Sequence, residues 1–192
     1  VHELGLTQLA VPAALGGAGD ARSVNPNVKV AEELSRGDMG LALAALAPLG
    51  VVHALVDYGT ARQQGEFLPQ FLGERFVPAA FALCEERPLF DPHRLTTRAR
   101  REGDDYVLDG EKVLVPLGED AELLLVAADL DGKPEAFLVE RHAAGCDAQT
   151  ERARGRAAAK LARIRLENVR VPAFHRLGEV YTEFTRLVDL AR

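Results

Sequence analysis

Cys84-Glu85-Glu86 brings a thiol and two carboxylates together at the end of the apolar run 77–84. A carboxylate beside a pocket can act as a general base and a thiolate as a nucleophile. Adjacent strand residues point to opposite faces, so at most one of the two acids can reach a pocket. The spacing therefore predicts an exposed, charged strand end, with Cys84 as a small buried hydrophobe. Asp91-Pro92-His93 sets an acid near an imidazole and fits a solvated turn. His2, His53, His93, His142 and His175 lack metal-ligand spacing, and Cys84 and Cys146 fall outside any CxxC pattern, so neither a zinc site nor a disulfide framework is expected. Leu15-Gly16-Gly17-Ala18-Gly19 follows no strand pattern, opens no helix and lacks the Lys-Ser/Thr of a phosphate loop. It predicts a turn that uses positive φ.

The elements that must position these groups change character near Pro78. Before it, Val28, Ala31 and Leu34 recur at helical spacing after Asn25-Pro26-Asn27. A second helix is expected from about Met39 to Tyr58, entered through Asp38, closed by Gly59 and kinked or split at Pro48, where proline removes an internal hydrogen bond. A third starts at Thr60 as N-cap and carries Phe67, Leu68 and Phe71 inward. After Pro78 the period shifts toward two. Strands are expected over 77–84, 95–101 and from Tyr106, with Asp109-Gly110 as a hairpin signal. A hairpin joins 122–130 to 135–140 through Asp131-Gly132, and in 160–167 Ala162, Ile164 and Leu166 alternate with Arg163, Arg165 and Glu167. Residues 152–159 form an Ala/Arg-rich loop. The pattern predicts an α+β chain: an N-terminal helical bundle over 1–77, an antiparallel β-barrel or sandwich over 78–176, and the start of a C-terminal helical domain over 177–192.

Composition narrows the function classes. Across 192 residues, 23 Lys and Arg against 29 Asp and Glu give a net charge of −6, and no basic stripe offers a nucleic-acid surface. With 47% apolar residues the chain is an ordinary globular one. The run 41–56 is too short to span a bilayer. Two widely separated cysteines suit a reducing, cytoplasmic setting. No signal peptide is recognisable after Val1, and the helical pattern Phe184, Leu187, Val188, Ala191 stops without a cap, so both ends are expected to be cut.

Six segments in order resemble the acyl-CoA dehydrogenase family. Residues 4–19, with Leu4-Gly5-Leu6, Val11-Pro12 and Gly16-Gly17-Ala18-Gly19, are similar to its early LGL…VPEEYGGAG stretch, and 30–38 to its EELAR.D helix. Gly59-Thr60 through Phe67-Leu68-Pro69 resembles GT..QK..(Y/F)LP, and Tyr106–Lys112 resembles YVLNG.K. Ala136–Val139 matches AFLV, and Leu166–Pro172 with Leu177-Gly178-Glu179 resembles F.DVRVP…LGE.

The resemblance implies a helical domain, a middle β-barrel and a C-terminal four-helix bundle, a dimer or dimer of dimers, and a role in fatty acid metabolism. It also implies removal of the α proton of an acyl-CoA thioester by a Glu, with hydride transfer from the β carbon to FAD. That Glu belongs to the C-terminal domain, so no catalytic residue is assigned in this sequence. The family's (A/C)LTEP.AGSD stretch corresponds to 82–91 and implies that Leu83 and Cys84 lie along the flavin, with Phe90 and Asp91 near the CoA path. Its K.WITN corresponds to 112–117, so Val115 and Pro116 would also line the flavin, with Leu114 in place of the Trp. Here the family's two flavin-bonding Thr positions are Cys84 and Pro116, a weak donor and a residue with no N–H. A second reading is therefore a non-catalytic subunit acting as structural partner in a hetero-oligomer.

Overall fold

The computed structural model describes residues 5–19, 24–151 and 157–178; the expected C-terminal helix lies outside them. Among the described residues four α-helices come first: α1 (Leu6–Ala10), α2 (Val24–Gly37), α3 (Met39–Tyr58) and α4 (Ala61–Phe67). The glycine-rich segment between α1 and α2 is a turn. Gly16 has φ of 85°, and a Cβ on Gly17 would stand 2.0 Å from the Val11 carbonyl oxygen, so only glycine lets the two backbones meet. Asp38 caps α3 by accepting the Leu41 N–H at 2.9 Å, and Thr60 and Gln63 form a reciprocal capping box at the start of α4.

Of the kink or split expected at Pro48 in α3, the split does not occur. The helix runs continuously for 20 residues. Pro48 is itself buried, and Val51, Val52, Ala54 and Leu55 beyond it are fully buried, so tertiary packing outweighs one lost helical hydrogen bond. The helix is longer than the 41–56 run. By length and composition alone, with a mean hydropathy of 2.0, it could cross a membrane, and 44% of that window is buried within this fold.

Seven strands follow: β1 (Ala79–Ala82), β2 (Arg98–Glu102), β3 (Asp105–Val115), β4 (Leu123–Leu130), β5 (Lys133–Glu140), β6 (Cys146–Thr150) and β7 (Ala162–Pro172). They form one curled sheet ordered β1-β4-β2-β3-β7-β6, with β5 on the other edge of β4, a half-barrel packed with the helices. Four pairings are antiparallel, while β1 and β2 both run parallel to β4. Because β5 pairs with β4 along its whole length, β1 and β2 share the remaining edge, β1 against Leu123–Val126 and β2 against Asp129 and Leu130. The segment 83–97 bridges the gap between them.

β4 explains its own unbroken apolar sequence. Leu123, Leu125 and Ala127 join a core shared with Val51, Val52, Ala54 and Leu55 of α3, whereas Leu124, Val126 and Ala128 join a second core inside the curl with Leu108, Ile164 and Leu166. A strand buried on both faces needs no alternation. The expected Asp131-Gly132 hairpin is present, with φ of 53° and 83°. Asp109-Gly110 is not a hairpin. It lies within β3 opposite a bulge in β7, where Glu167 and Asn168 face the single residue Asp109, and β2 and β3 are instead joined through Gly103-Asp104. Gly110 is required for close approach, because a Cβ there would stand 2.6 Å from Thr97 Cα. Gln63 ties helices to sheet, its Nε2 donating to the Phe174 and Arg176 carbonyls at 2.7 and 2.6 Å.

Candidate functional site

The segment 83–97 leaves the sheet at the end of β1 and returns at β2, and Glu85 holds its two ends together. Its carboxylate accepts the Thr96 N–H at 2.7 Å, the Thr96 hydroxyl at 2.7 Å and the Thr97 N–H at 2.9 Å. Lys112, on β3, donates to Glu85 Oε1 at 2.8 Å and to the Leu83 carbonyl at 3.3 Å. Val113 N–H donates to the Cys84 carbonyl at 2.9 Å. Gly110, two residues before Lys112, has no Cβ, and this lets Thr97 come down onto β3.

These contacts fix peptide orientation. In a planar trans peptide the N–H points opposite the preceding carbonyl. The Cys84 N–H is therefore directed away from Lys112 Nζ and the Glu85 N–H away from Val113. Among the described residues neither N–H donates to a protein acceptor. A main-chain donor at Cys84 or Glu85 can serve an anionic or carbonyl-bearing ligand whatever side chain is attached.

The expectation of a charged, exposed strand end fails for Glu85 and holds for Glu86. Glu85 is 5% exposed and Lys112 is 0% exposed, a buried ion pair, whereas Glu86 is exposed and reaches Arg163 at 2.5 Å. Burial opposes ionisation of Glu85, but the Lys112 ammonium and the Thr96 donors outweigh it and hold its pKa at about 2. Burial pulls Lys112 down to about 8, against the support of Glu85. Desolvation pushes the half-buried Cys84 thiol up, which disfavours the thiolate and leaves Cys84 an unreactive wall residue.

The sequence carries a signal for the burial of Lys112. Lys112 continues the two-residue spacing of Tyr106, Leu108 and Gly110, so it stands where β3 faces inward, and an inward lysine requires a buried acid. Thr96-Thr97, the remaining partners of Glu85, carry no comparable signal.

The other sequence-derived positions fall on both sides of this pair. Leu83 and Phe90 are half-buried and pack on the same core as α3. Asp91 closes a turn by accepting the His93 main-chain N–H at 2.9 Å. The Cys84 carbonyl reaches β3 at Val113, two residues before Val115, so the 83–84 and 112–116 segments converge. Val115 points into the inner core, 1% exposed, and can offer a ligand only its main chain. Pro116 follows the last residue of β3, as its missing N–H predicts. Around it, Leu114 and Leu117 have φ of 57° and 54°, and Leu114, in the family's Trp position, is 52% exposed. Among the described residues no three His, Cys, Asp or Glu side chains are grouped to hold a metal.

Residues 1–75 match the family of the acyl-CoA dehydrogenase N-terminal domain, and residues 80–169 match that of the acyl-CoA dehydrogenase middle domain. The chain belongs to the acyl-CoA dehydrogenase family. It is 32% identical over 187 residues to the short/branched chain specific acyl-CoA dehydrogenase of Rattus norvegicus, covering 94% of this chain and 42% of that protein. Its fold superposes on an acyl-CoA dehydrogenase complexed with FAD from Bacillus anthracis with a TM-score of 0.86 and 29% identity, over 100% of this chain and 34% of that one. A glutaryl-CoA dehydrogenase from Mycobacterium smegmatis in complex with FADH2 gives a TM-score of 0.84 at 26% identity, over 99% and 49% of the two chains. The chain thus spans less than half the length of each of these acyl-CoA dehydrogenases.

Proposed function

We propose that residues 1–77 and 78–176 are the helical and middle domains of an FAD-dependent acyl-CoA dehydrogenase, with 177–192 beginning its C-terminal helical domain. The observation that carries this reading is the pair of outward-directed amides at Cys84 and Glu85, held by β3 at the family's flavin-lining stretch. A flavin's pyrimidine edge offers carbonyl and nitrogen acceptors, and a main-chain N–H meets them as well from Cys84 as from Thr. The residues fit the flavin there. At Pro116 the fit relies on shape alone, because proline brings neither hydroxyl nor N–H.

Bound FAD would supply the hydride acceptor. The part of this chain is to bind and orient: Leu83, Cys84, Val115 and Pro116 line the ring, and Phe90 and Asp91 flank the CoA path of an acyl-CoA substrate. The base that takes the α proton would come from the C-terminal domain. The free thiols of Cys84 and Cys146 support a reducing, cytoplasmic setting. The family supports a homodimer or tetramer acting in fatty acid metabolism, and the packing of α3 against β1 supports its role as a core helix. The full-length protein is expected to carry a flavin absorbance band that an acyl-CoA bleaches. A colourless protein that takes up no added FAD would overturn the reading.

The alternative is a non-catalytic subunit in a hetero-oligomer. Loss of both flavin-facing hydroxyls, at Cys84 and Pro116, favours it. A full-length protein that binds FAD without bleaching and purifies with a second dehydrogenase-like chain would support it.

A further inference from the structure

The Glu85–Lys112 pair is more than a loop clasp. The Glu85 carboxylate already receives three donors from Thr96 and Thr97, which close 83–97 without help from β3. What Lys112 adds is the second bond of its ammonium, to the Leu83 carbonyl. β1 stops pairing at Ala82, so beyond that point only β3 governs how the 83–84 peptide is turned. An apolar residue at 112 would fill the same space without the cost of desolvating a cation.

We infer that Lys112, fixed by Glu85, is a positioning residue for the cofactor: by holding the Leu83 carbonyl it sets the direction in which the Cys84 N–H is offered to the flavin. The inference rests on the flavin reading above. With Cys84 and Pro116 in place of the hydroxyl-bearing residues, the orientation of the main-chain amides matters more here than in a site that also offers two hydroxyls. Lys112 touches neither flavin nor substrate; it acts through the peptide plane.

The test uses the full-length protein and FAD. The double variant Glu85→Gln/Lys112→Met removes the pair while leaving no buried charge, so its apoprotein is expected to keep the thermal midpoint of the parent within a few degrees. Its dissociation constant for FAD is expected to rise about tenfold, the scale of one lost neutral hydrogen bond. The flavin absorbance band is expected to shift, and the Cys84 amide to exchange with deuterium faster even without FAD. Lys112→Arg keeps the charge against Glu85 but moves the donor off the Leu83 carbonyl. It is expected to weaken FAD binding in a folded chain, which covers the case in which the double variant unfolds. Parental affinity, band position and amide exchange in either folded variant would overturn the inference and leave the flavin reading standing. A parent protein that binds no FAD would overturn both.

Discussion

Glu85 and Glu86 are chain neighbours in opposite circumstances, and the contrast separates the two kinds of ion pair in this molecule. Glu85 faces a single cation, Lys112, with both side chains buried and three further donors on the carboxylate. Glu86 belongs to a lattice on the open face of β2, β3 and β7. There Arg163 reaches Glu86, Glu111 and Glu151, Arg100 reaches Glu102 and Asp109, and Arg170 reaches Glu102 and Asp105. In the lattice, a lost partner is replaced by water or by another acid. In the buried pair, a lost partner leaves a charge with neither. The first arrangement tolerates change, and the second holds one geometry.

The largest effect should follow from breaking the buried pair on one side. Lys112→Met strands the Glu85 carboxylate in the core, a change expected to cost about 3–5 kcal/mol. Removing both charges should cost far less. Chemical denaturation of the two variants measures the difference, and equal losses would place Glu85 and Lys112 in the same class as the surface lattice. Next in size is Gly110→Ala. With φ of 146° and a Cβ that would fall 2.6 Å from Thr97 Cα, it strains β3 and lifts the loop end that Glu85 holds. The expected loss is about 1–3 kcal/mol, read by the same denaturation.

The pair also has a pH signature. The carboxyl of Glu85 titrates at about 2 in the folded chain against an ordinary 4.5, so the unfolded chain binds more protons between these values. Its contribution is complete above 4.5 and is lost as pH falls through 2. The parent should therefore lose stability more steeply than Glu85→Gln/Lys112→Met between pH 5 and pH 2 in acid-unfolding curves. Parallel curves would mean that Glu85 is no better ionised than a free carboxyl.

The contrast between neighbours also accounts for what could be read before the fold was known. Helical spacing, the Thr60 cap, the Asp131-Gly132 hairpin and the alternation of Ala162, Ile164 and Leu166 are local, and each appears where its residues predict. The continuity of α3 through Pro48, the close approach of Thr97 to Gly110 and the parallel placement of β1 and β2 depend on residues far away in sequence, and no local pattern encodes them. The stretch proposed to line the flavin is marked in the sequence only by its resemblance to the family. Its support is not so marked, because the burial of Glu85 is decided by Lys112, 27 residues on, and by a loop return at Thr96. Strand alternation could not choose which of the two acids is buried, and β1 ends at Ala82 before either of them.

The smallest effect belongs to the lattice. Arg163→Gln removes a guanidinium shared by Glu86, Glu111 and Glu151 and leaves three acids near one another. Glu111 retains Arg165 at 3.7 Å, and all three remain open to solvent and counter-ions. The thermal midpoint should fall at low ionic strength, by less than in any variant above. The difference should vanish near 1 M salt, where the screening length is about 3 Å. The loss in Lys112→Met should persist at that salt concentration, because ions do not reach a side chain with no exposed surface. If salt erased both losses, the Lys112 charge would have to be in contact with solvent, and its hold on the Leu83 carbonyl would be no firmer than a surface contact.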